Sequence, residues 1–135
     1  MINYFYETDF ELSDENYITN WIKKVVELHQ GSITEINYIF CDDEYLLKIN
    51  KQYLDHDYYT DIITFDNSIG KKLESDIFIS VDRVGDNAKE LSIEFKQELH
   101  RVIIHGILHL LGYKDKSPEE EKQMRKLEDE ALALL

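Results

Sequence analysis

The segment that most constrains the fold of this chain is predicted to form one long helix, from Ser92 to about Leu111. Its interior, Val102-Ile103-Ile104, is apolar on most sides of a helix, which is the pattern of a helix buried at the centre of a domain. Gly112 follows and is expected to end the helix. A chain of 135 residues is long enough to bury one such core and hardly long enough for two. We therefore expect residues 1–135 to form a single domain.

Apolar spacing along the rest of the chain predicts about four strands and about four further helices, which makes about five helices with the long one. The predicted strands are Met1–Phe10, which is placed at a sheet edge, Ile33–Cys41, Tyr59–Phe65 and Asp76–Val81. The last two strands are expected to pair antiparallel through a turn at residues 67–70. The predicted starts of the other helices are Ser13, Asp42 or Asp43, Asp82 and Ser117, the last in a capping box with Glu120. This mixed order predicts an α+β domain with helices layered on a mixed sheet.

Composition and charge exclude several kinds of protein. The chain has 15 basic and 28 acidic side chains and a net charge of −13, whereas a protein that coats duplex DNA needs a basic face. A nucleic-acid enzyme with a small basic patch or a bound cation is still compatible. The one cysteine, Cys41, excludes a disulfide framework and a Cys-rich zinc module. No apolar run approaches the ~18 residues that span a bilayer, and no secretion signal is visible, so we expect a cytoplasmic protein without a membrane partner.

The most informative residues for function are two histidines near the end of the predicted long helix. His105 and His109 are i and i+4, so they lie one turn apart on one helix face, where two imidazoles can share a metal ion. Gly112 allows the chain to reverse through a positive φ angle, which could bring Asp115 beside both histidines. Two imidazoles and one carboxylate leave the fourth zinc position open for water, as in catalytic zinc sites. The histidine pair alone is a weak signal, because such pairs are often only hydrogen-bonded.

The spacing of these residues matches a known zinc motif. The metzincin motif H-E-x-x-H-x-x-G-x-x-H places its ligands at positions 0, +4 and +10 and a glycine at +7. Here Gly106 replaces the glutamate that acts as general base, and Asp115 replaces the third histidine. The missing glutamate argues against peptide hydrolysis by the metzincin route.

A longer stretch of the chain resembles one protein family. The segment from His105 to Tyr113 (HGILHLLGY) is similar to the signature of the YbeY family of single-strand endoribonucleases, also called ribosomal RNA maturation factors. Upstream, Asn50–Phe65 looks like the family's N-x-x-Y-R-x-x-D-x-x-T-D-V-L-S-F block, and Ser75–Ser80 looks like its G-D-I-x-I-S strand. The matched segments extend to about Glu130, over half the chain.

The resemblance implies a zincin-like layered fold and one zinc ion per chain, held by His105, His109 and Asp115. It implies cleavage of single-stranded RNA in the maturation of the 16S ribosomal RNA 3′ end and in ribosome quality control. The implied partners are the small ribosomal subunit and its assembly factors, and we expect a monomer. The attacking group is expected to be a metal-activated water or the 2′-hydroxyl of the RNA, and the sequence leaves both routes open.

Two positions depart from the family's pattern. Asp115 stands where the family usually has a histidine; aspartate is also a zinc ligand, and it adds one negative charge. The family's arginine falls on Leu54, and a leucine cannot hold a phosphate. The candidate replacements are Lys51, His56, Arg101 and Lys114. We expect Arg101 to be the catalytic residue at the phosphate, because it lies four residues before His105 on the same helix face.

Two other functions are compatible with the sequence. One is a metal-dependent hydrolase of another substrate, including peptides. The other is a non-catalytic ribosome-assembly or RNA-binding factor, which Leu54 and the net charge of −13 both favour. Near the predicted site, Glu98 is expected to form a salt bridge. Thr60 and Asp61 are expected either to cap a turn or to line the cleft beside the metal.

Overall fold

The computed structural model describes all residues, 1–135, as one four-stranded sheet with five helices. The elements are β1 (Ile2–Tyr6), α1 (Glu15–Leu28), β2 (Ser32–Cys41), α2 (Asp43–Leu54), β3 (Ile62–Asp66), β4 (Lys72–Ser80), α3 (Val81–Leu91), α4 (Phe95–Leu110) and α5 (Pro118–Leu132). The prediction of an α+β fold with about four strands and five helices is confirmed. None of the helices is both long enough and apolar enough to cross a membrane.

The sheet is mixed, with the strand order β1-β2-β4-β3. β1, β2 and β4 run parallel, with Tyr4 opposite Tyr38 and Tyr38 opposite Ile77. β3 runs antiparallel to β4, with Ile63 opposite Phe78, so the predicted antiparallel pair is confirmed. β1 lies at one edge of the sheet, as expected.

The two faces of the sheet pack against different helices. Alternate residues of the central strands, such as Phe40 and Ile79, join the main core with α1 and α4, because successive side chains of a strand point to opposite faces. The side chains on the other face, including Phe78, surround a smaller cluster that contains Leu46 of α2. A buried hydrogen bond from the Tyr38 hydroxyl to the Ile103 carbonyl (3.0 Å) ties the sheet to α4.

Helix α4 is the buried central helix that the apolar pattern predicts. Most of its residues are buried, including Val102, Ile103 and Ile104. α5 packs beside it, and the indole nitrogen of Trp21 donates to the Ala131 carbonyl at 2.8 Å. The sheet and α5 both pack against α4. The side chains on the remaining face of α4 are therefore held in place.

Three predicted helix starts are wrong, because a neighbouring residue forms the cap. Asp14, not Ser13, accepts the hydrogen bond that begins α1. Ser80, not Asp82, caps α3. Ser92 does not begin the long helix: it ends α3 with a φ angle of 56°, and α4 begins at Phe95.

Three strand boundaries are also corrected. β1 ends at Tyr6 rather than Phe10, β3 begins at Ile62 rather than Tyr59, and β4 begins at Lys72 rather than Asp76. Residues 59–61 therefore lie outside the strand and form the end of a loop that leads into β3, where the Asp61 carbonyl accepts a hydrogen bond from the Ser80 N–H at 2.9 Å. This loop matters for the site, because it lies at the cleft described below.

Candidate metal centre

The end of α4 is a turn that reverses the chain. The Gly112 N–H donates to the His109 carbonyl at 3.0 Å, and the Tyr113 N–H donates to the Leu108 carbonyl at 3.1 Å. These two bonds form a Schellman motif, in which the first residue after the cap adopts a positive φ angle. Gly112 does so, with φ +106°, a conformation that favours glycine. The reversed chain places Asp115 beside the face of α4 that carries the two histidines.

Asp115 lies between the two imidazole rings. Its Oδ2 is 3.2 Å from His105 Nε2 and 3.3 Å from His109 Nε2, and one ligand atom from each residue lies within 4.8 Å of the others. In a tetrahedral zinc site with bonds of about 2.0–2.1 Å, neighbouring ligand atoms are ~3.3 Å apart. The donor set and its spacing therefore fit a zinc ion. The predicted approach of Asp115 to both histidines is confirmed, and metal binding by the three stays a prediction.

Glu128 of α5 orients one of these rings. Its Oε2 is 2.6 Å from His105 Nδ1, and its Oε1 accepts from Arg101 Nη1 at 2.8 Å. The Glu128 side chain is almost fully buried. A proton on Nδ1 leaves the lone pair on Nε2, the nitrogen that faces Asp115, free for a metal.

The protonation states of His105 and Glu128 follow from opposing effects on the pKa of each group. Burial lowers the pKa of His105, but the hydrogen bond to Glu128 and the charges of Glu128 and Asp115 leave that pKa above its ordinary value. Burial raises the pKa of Glu128, but the hydrogen bonds from His105 and Arg101 hold that pKa below its ordinary value. Glu128 is therefore an anion at neutral pH and accepts at both oxygens, which assigns the shared proton to His105 Nδ1.

Gly106 lies where α4 approaches the sheet most closely. A Cβ atom at this position would be 3.1 Å from Ile62 Cδ1 and 3.4 Å from Ile77 Cδ1. A side chain here would therefore point into the packed sheet rather than toward His105 Nε2. A glutamate at position 106 would therefore crowd these isoleucine side chains, in agreement with the argument against peptide hydrolysis.

The three candidate ligands line an open cleft of about 580 Å³. Thr60 and Asp61 form part of the same wall, so the expectation that they line the cleft is confirmed. Burial raises the pKa of the Asp61 carboxyl. Its Oδ2 accepts a hydrogen bond from Asn87 at 3.3 Å. Lys114 brings an ammonium group to this otherwise acidic cleft.

Arg101 lies beside the site but is held by two carboxylates. Besides its bond to Glu128, it donates from Nη2 to Asp129 at 2.9 Å. It lines a cavity of about 190 Å³ together with His105 and Asp61. Leu54, at the position of the family's arginine, is exposed at the end of α2. The contact between Arg101 and a phosphate stays a prediction.

Glu98 does not form the expected salt bridge. Its carboxyl group is buried on α4, and Oε1 has no hydrogen-bond partner. No cation lies within salt-bridge distance of it. Burial, followed by the charge of Asp61, raises the pKa of Glu98. A buried carboxylate without a partner destabilises the fold.

Replacing Glu98 with glutamine is expected to raise the free energy of unfolding at pH 7 by about 1 kcal/mol, because the change removes a buried charge and keeps the shape. A carboxyl group whose pKa is raised in the folded state stabilises the fold below its unfolded-state pKa, and this contribution is lost as the pH rises through the folded-state pKa. The difference between the two proteins should therefore shrink as the pH falls toward about 4.3. Urea unfolding of both proteins at pH 7 and near pH 4.3 measures the difference in stability. A Glu98→Gln protein that is less stable than the unaltered protein at pH 7 would contradict the prediction.

Glu128 is the site residue that sequence reasoning missed. The apolar stripe predicted for α5 consists of Met124, Leu127, Ala131 and Leu134. The buried positions are instead Met124, Glu128 and Ala131, while Leu134 is exposed. The available signal was the spacing of Glu128. It lies four residues after Met124 and three before Ala131, so it shares the helix face of these two core residues.

The fold and the site together define a class of protein: a small α+β domain whose central helix and following turn carry a His-His-Asp group that could hold a metal ion, in an open cleft. A family model described as Endoribonuclease YbeY matches residues 4–135. The chain belongs to this family, as the motifs of the sequence indicated.

Individual relatives agree with the family match. A protein of Flavobacterium johnsoniae named Endoribonuclease YbeY is 53% identical over 134 residues, which cover 99% of this chain and 96% of the relative. One of the same name from Cytophaga hutchinsonii is 54% identical over 129 residues, 95% of this chain and 90% of the relative. Among solved structures, the solution structure of TM1509 from Thermotoga maritima is similar, with a TM-score of 0.71 and 28% identity over 98% of this chain and 90% of that one.

Proposed function

We propose that this protein is a zinc-dependent endoribonuclease that cuts single-stranded RNA, in particular ribosomal RNA. Its membership of the YbeY family and the endoribonuclease name of its relatives support RNA as the substrate. The observation that carries the proposal is the position of Asp115 Oδ2, 3.2 and 3.3 Å from two imidazole nitrogens, in an open cleft. Two imidazoles and one carboxylate are a donor set that suits zinc.

The residues of the chain have separate tasks in this proposal. His105, His109 and Asp115 would hold the metal, which when bound supplies positive charge to a phosphoryl oxygen and lowers the pKa of water. Glu128 keeps the proton of His105 on Nδ1. The absence of a side chain at Gly106 means that no base acts from the neighbouring helix position. The attacking oxygen is therefore activated within the cleft, as water or as the 2′-hydroxyl of the substrate.

The test uses one sequence in three forms: single-stranded RNA, duplex RNA and single-stranded DNA. We expect the zinc-loaded protein to cut only the first, a chelator to stop the reaction, and added zinc to restore it. A 2′-deoxy substitution at the cut site separates the two routes, because it blocks attack by the 2′-hydroxyl and leaves attack by water possible. RNA that is bound but never cut would favour the non-catalytic factor, and chelator-sensitive peptide cleavage would favour another hydrolase.

Arg101 is proposed as the phosphate contact in place of the family's arginine. Its guanidinium has five N–H donors, and bonds to Glu128 and Asp129 are each made by one terminal nitrogen. Arg101→Ala is expected to lower kcat/KM for RNA about 10- to 100-fold, the loss of a charged hydrogen bond. Zinc content is measured on the same sample. Unchanged cleavage would contradict this role, and a loss that follows zinc content would make Arg101 a positioning residue for the site.

We also propose the biological setting that the family resemblance implies: a cytoplasmic monomer that matures the 16S ribosomal RNA 3′ end with the small subunit and its assembly factors. Complementation separates this setting from a non-catalytic one. In cells depleted of the protein, His109→Ala is expected to leave 3′-extended precursor RNA in place, whereas the unaltered protein removes it. Full restoration by His109→Ala would favour a scaffold.

A further inference from the structure

Several exposed aromatic side chains lie close together along the chain, between the end of α2 and the start of β3. Tyr53, at the end of α2, and Tyr58 and Tyr59, in the loop before β3, are 61%, 55% and 47% exposed. His56 is exposed between them. We call Tyr53, His56, Tyr58 and Tyr59 the aromatic face. Exposed rings that lie this close together along the chain are candidates for a binding surface rather than a part of the core.

The rings of the aromatic face are held in place. His56 and Tyr58 stack on each other, with ring centroids 5.1 Å apart and planes 22° apart, and the Tyr58 hydroxyl is 3.0 Å from His56 Nδ1. The backbone carbonyl of Tyr58 accepts from the buried Asn50 amide at 2.9 Å. The Tyr59 hydroxyl donates to Glu44 at 2.6 Å. A ligand that stacks here therefore meets rings that are already ordered, which reduces the entropy cost of binding.

The aromatic face continues directly into the cleft of the candidate metal centre. Tyr59 is followed by Thr60 and Asp61, which line that cleft with His105 and His109. Consecutive residues are about 3.8 Å apart along the backbone. A chain molecule that extends from the metal centre past Thr60 therefore reaches the aromatic face at Tyr59.

The charges around the face identify the kind of contact it makes. Lys51 is paired with Asp57 at 3.3 Å, and Arg83 is paired with Asp43 at 2.8 Å. Leu54 supplies no charge. The Arg83 guanidinium also covers one side of the Tyr59 ring, 5.2 Å from its centroid. The face thus has few free cations for phosphates, and its binding groups are the ring surfaces that stay exposed, chiefly those of Tyr53 and Tyr58. Aromatic rings bind unpaired nucleobases by stacking, with little dependence on sequence.

We propose that the aromatic face binds bases of single-stranded RNA next to the cleavage site. This inference rests on the proposed nuclease function and adds the surface that holds the substrate. It also explains selection of single strands without a basic groove, since bases inside a duplex are already stacked and cannot reach the rings. Affinity then depends weakly on salt: with about two phosphate contacts, log K falls with log[salt] with a slope of about −1.4.

The experiment compares two Tyr58 variants with an equally exposed tyrosine elsewhere. Tyr58→Ala removes the ring, Tyr58→Phe keeps it, and Tyr17→Ala removes a 50% exposed ring on α1. Cleavage of a mixed-sequence single-stranded RNA gives kcat and KM, and fluorescence anisotropy gives its Kd in the His109→Ala background. We expect Tyr58→Ala to raise KM and Kd about 5- to 100-fold with kcat and zinc content nearly unchanged, from the usual loss per stacked base. Tyr58→Phe keeps the ring but loses the bond to His56, so its KM and Kd should rise much less than those of Tyr58→Ala. Tyr17→Ala should match the unaltered protein.

The outcomes separate this proposal from the proposed function. If the unaltered protein cuts RNA and Tyr58→Ala leaves both KM and Kd unchanged, the aromatic face is not an RNA surface and the nuclease assignment stands; a protein partner would then be its ligand. If Tyr58→Phe raises KM as much as Tyr58→Ala does, the hydroxyl rather than the ring makes the contact, and ring stacking is overturned. A salt slope of about −4 or steeper would overturn it in favour of phosphate contacts. If the unaltered zinc-loaded protein neither binds nor cuts RNA, both proposals fail.

Discussion

Replacing His109 with alanine is expected to reduce the bound zinc from about one ion per chain to nearly none and to lower RNA cleavage at least ~100-fold. The physical reason is that His109 supplies one of three protein ligands, and a metal supplies several kcal/mol of charge stabilisation in phosphoryl chemistry. Elemental analysis of untagged protein purified without chelator measures the zinc, and the RNA assay measures the activity.

Two matched variants sharpen this result. His100 lies on the same helix but packs edge-on against Trp21, so His100→Ala should keep the full zinc content. Asp115→Asn removes the charge of the third ligand and should weaken zinc retention if the carboxylate binds the metal directly. Full zinc occupancy in His109→Ala, in a protein that is still folded, would show that the ion is held elsewhere.

Replacing Glu128 with alanine is expected to weaken zinc binding about 10- to 100-fold, although Glu128 is not a proposed ligand. The change removes the acceptor that keeps the proton on His105 Nδ1, and such partners of ligating histidines have effects of this size. It also removes one of the two carboxylates that hold Arg101, so the free energy of unfolding should fall by about 1.5–3 kcal/mol, the size of a lost charged hydrogen bond, while Asp129 still pairs with the arginine. Competition with a chelator of known affinity measures zinc binding, and urea unfolding of the metal-free protein measures stability.

The neighbouring Asp129 provides the control for this experiment. Asp129 pairs with the same arginine at 2.9 Å but is exposed and does not touch His105, so Asp129→Ala should leave zinc affinity unchanged. Glu128→Gln keeps an oxygen acceptor and should retain more of the affinity than alanine does. Long-range proton–nitrogen NMR reports the tautomer of His105 directly. An Nδ1–H tautomer that persists at full population in Glu128→Ala would refute the positioning role.

The features that the sequence predicted correctly are those determined by neighbouring residues. The capping box of Ser117 and Glu120, the turn at Gly112 and the common face of His105 and His109 each depend on about ten residues or fewer. Such patterns follow from the geometry of one helix and its ends. The approach of Asp115 to the histidines belongs to the same group, because one reversal of the chain produces it.

The features that escaped prediction depend on contacts between distant residues or on competition between adjacent caps. The parallel pairing of β1, β2 and β4 joins strands that are far apart in the chain, and no local pattern specifies that order. The bond between His105 and Glu128 joins two helices. Ser13 and Asp14 are both good N-caps, so propensity does not decide between them, and Asp14 forms the cap.

The Schellman turn at Gly112 has a consequence for how a bound ion acts on the whole molecule. All three proposed ligands lie within residues 105–115, so a metal there would close only a short loop of the unfolded chain. Loop-closure entropy grows with the logarithm of loop length. A metal ion bound across this short loop therefore lowers the entropy of the unfolded chain only slightly. The stripped chain should therefore keep its sheet and helices as a folded apoprotein that is ready to reload. Because the ion would bind the folded site in preference to the unfolded chain, resistance to heat should rise with zinc concentration by mass action.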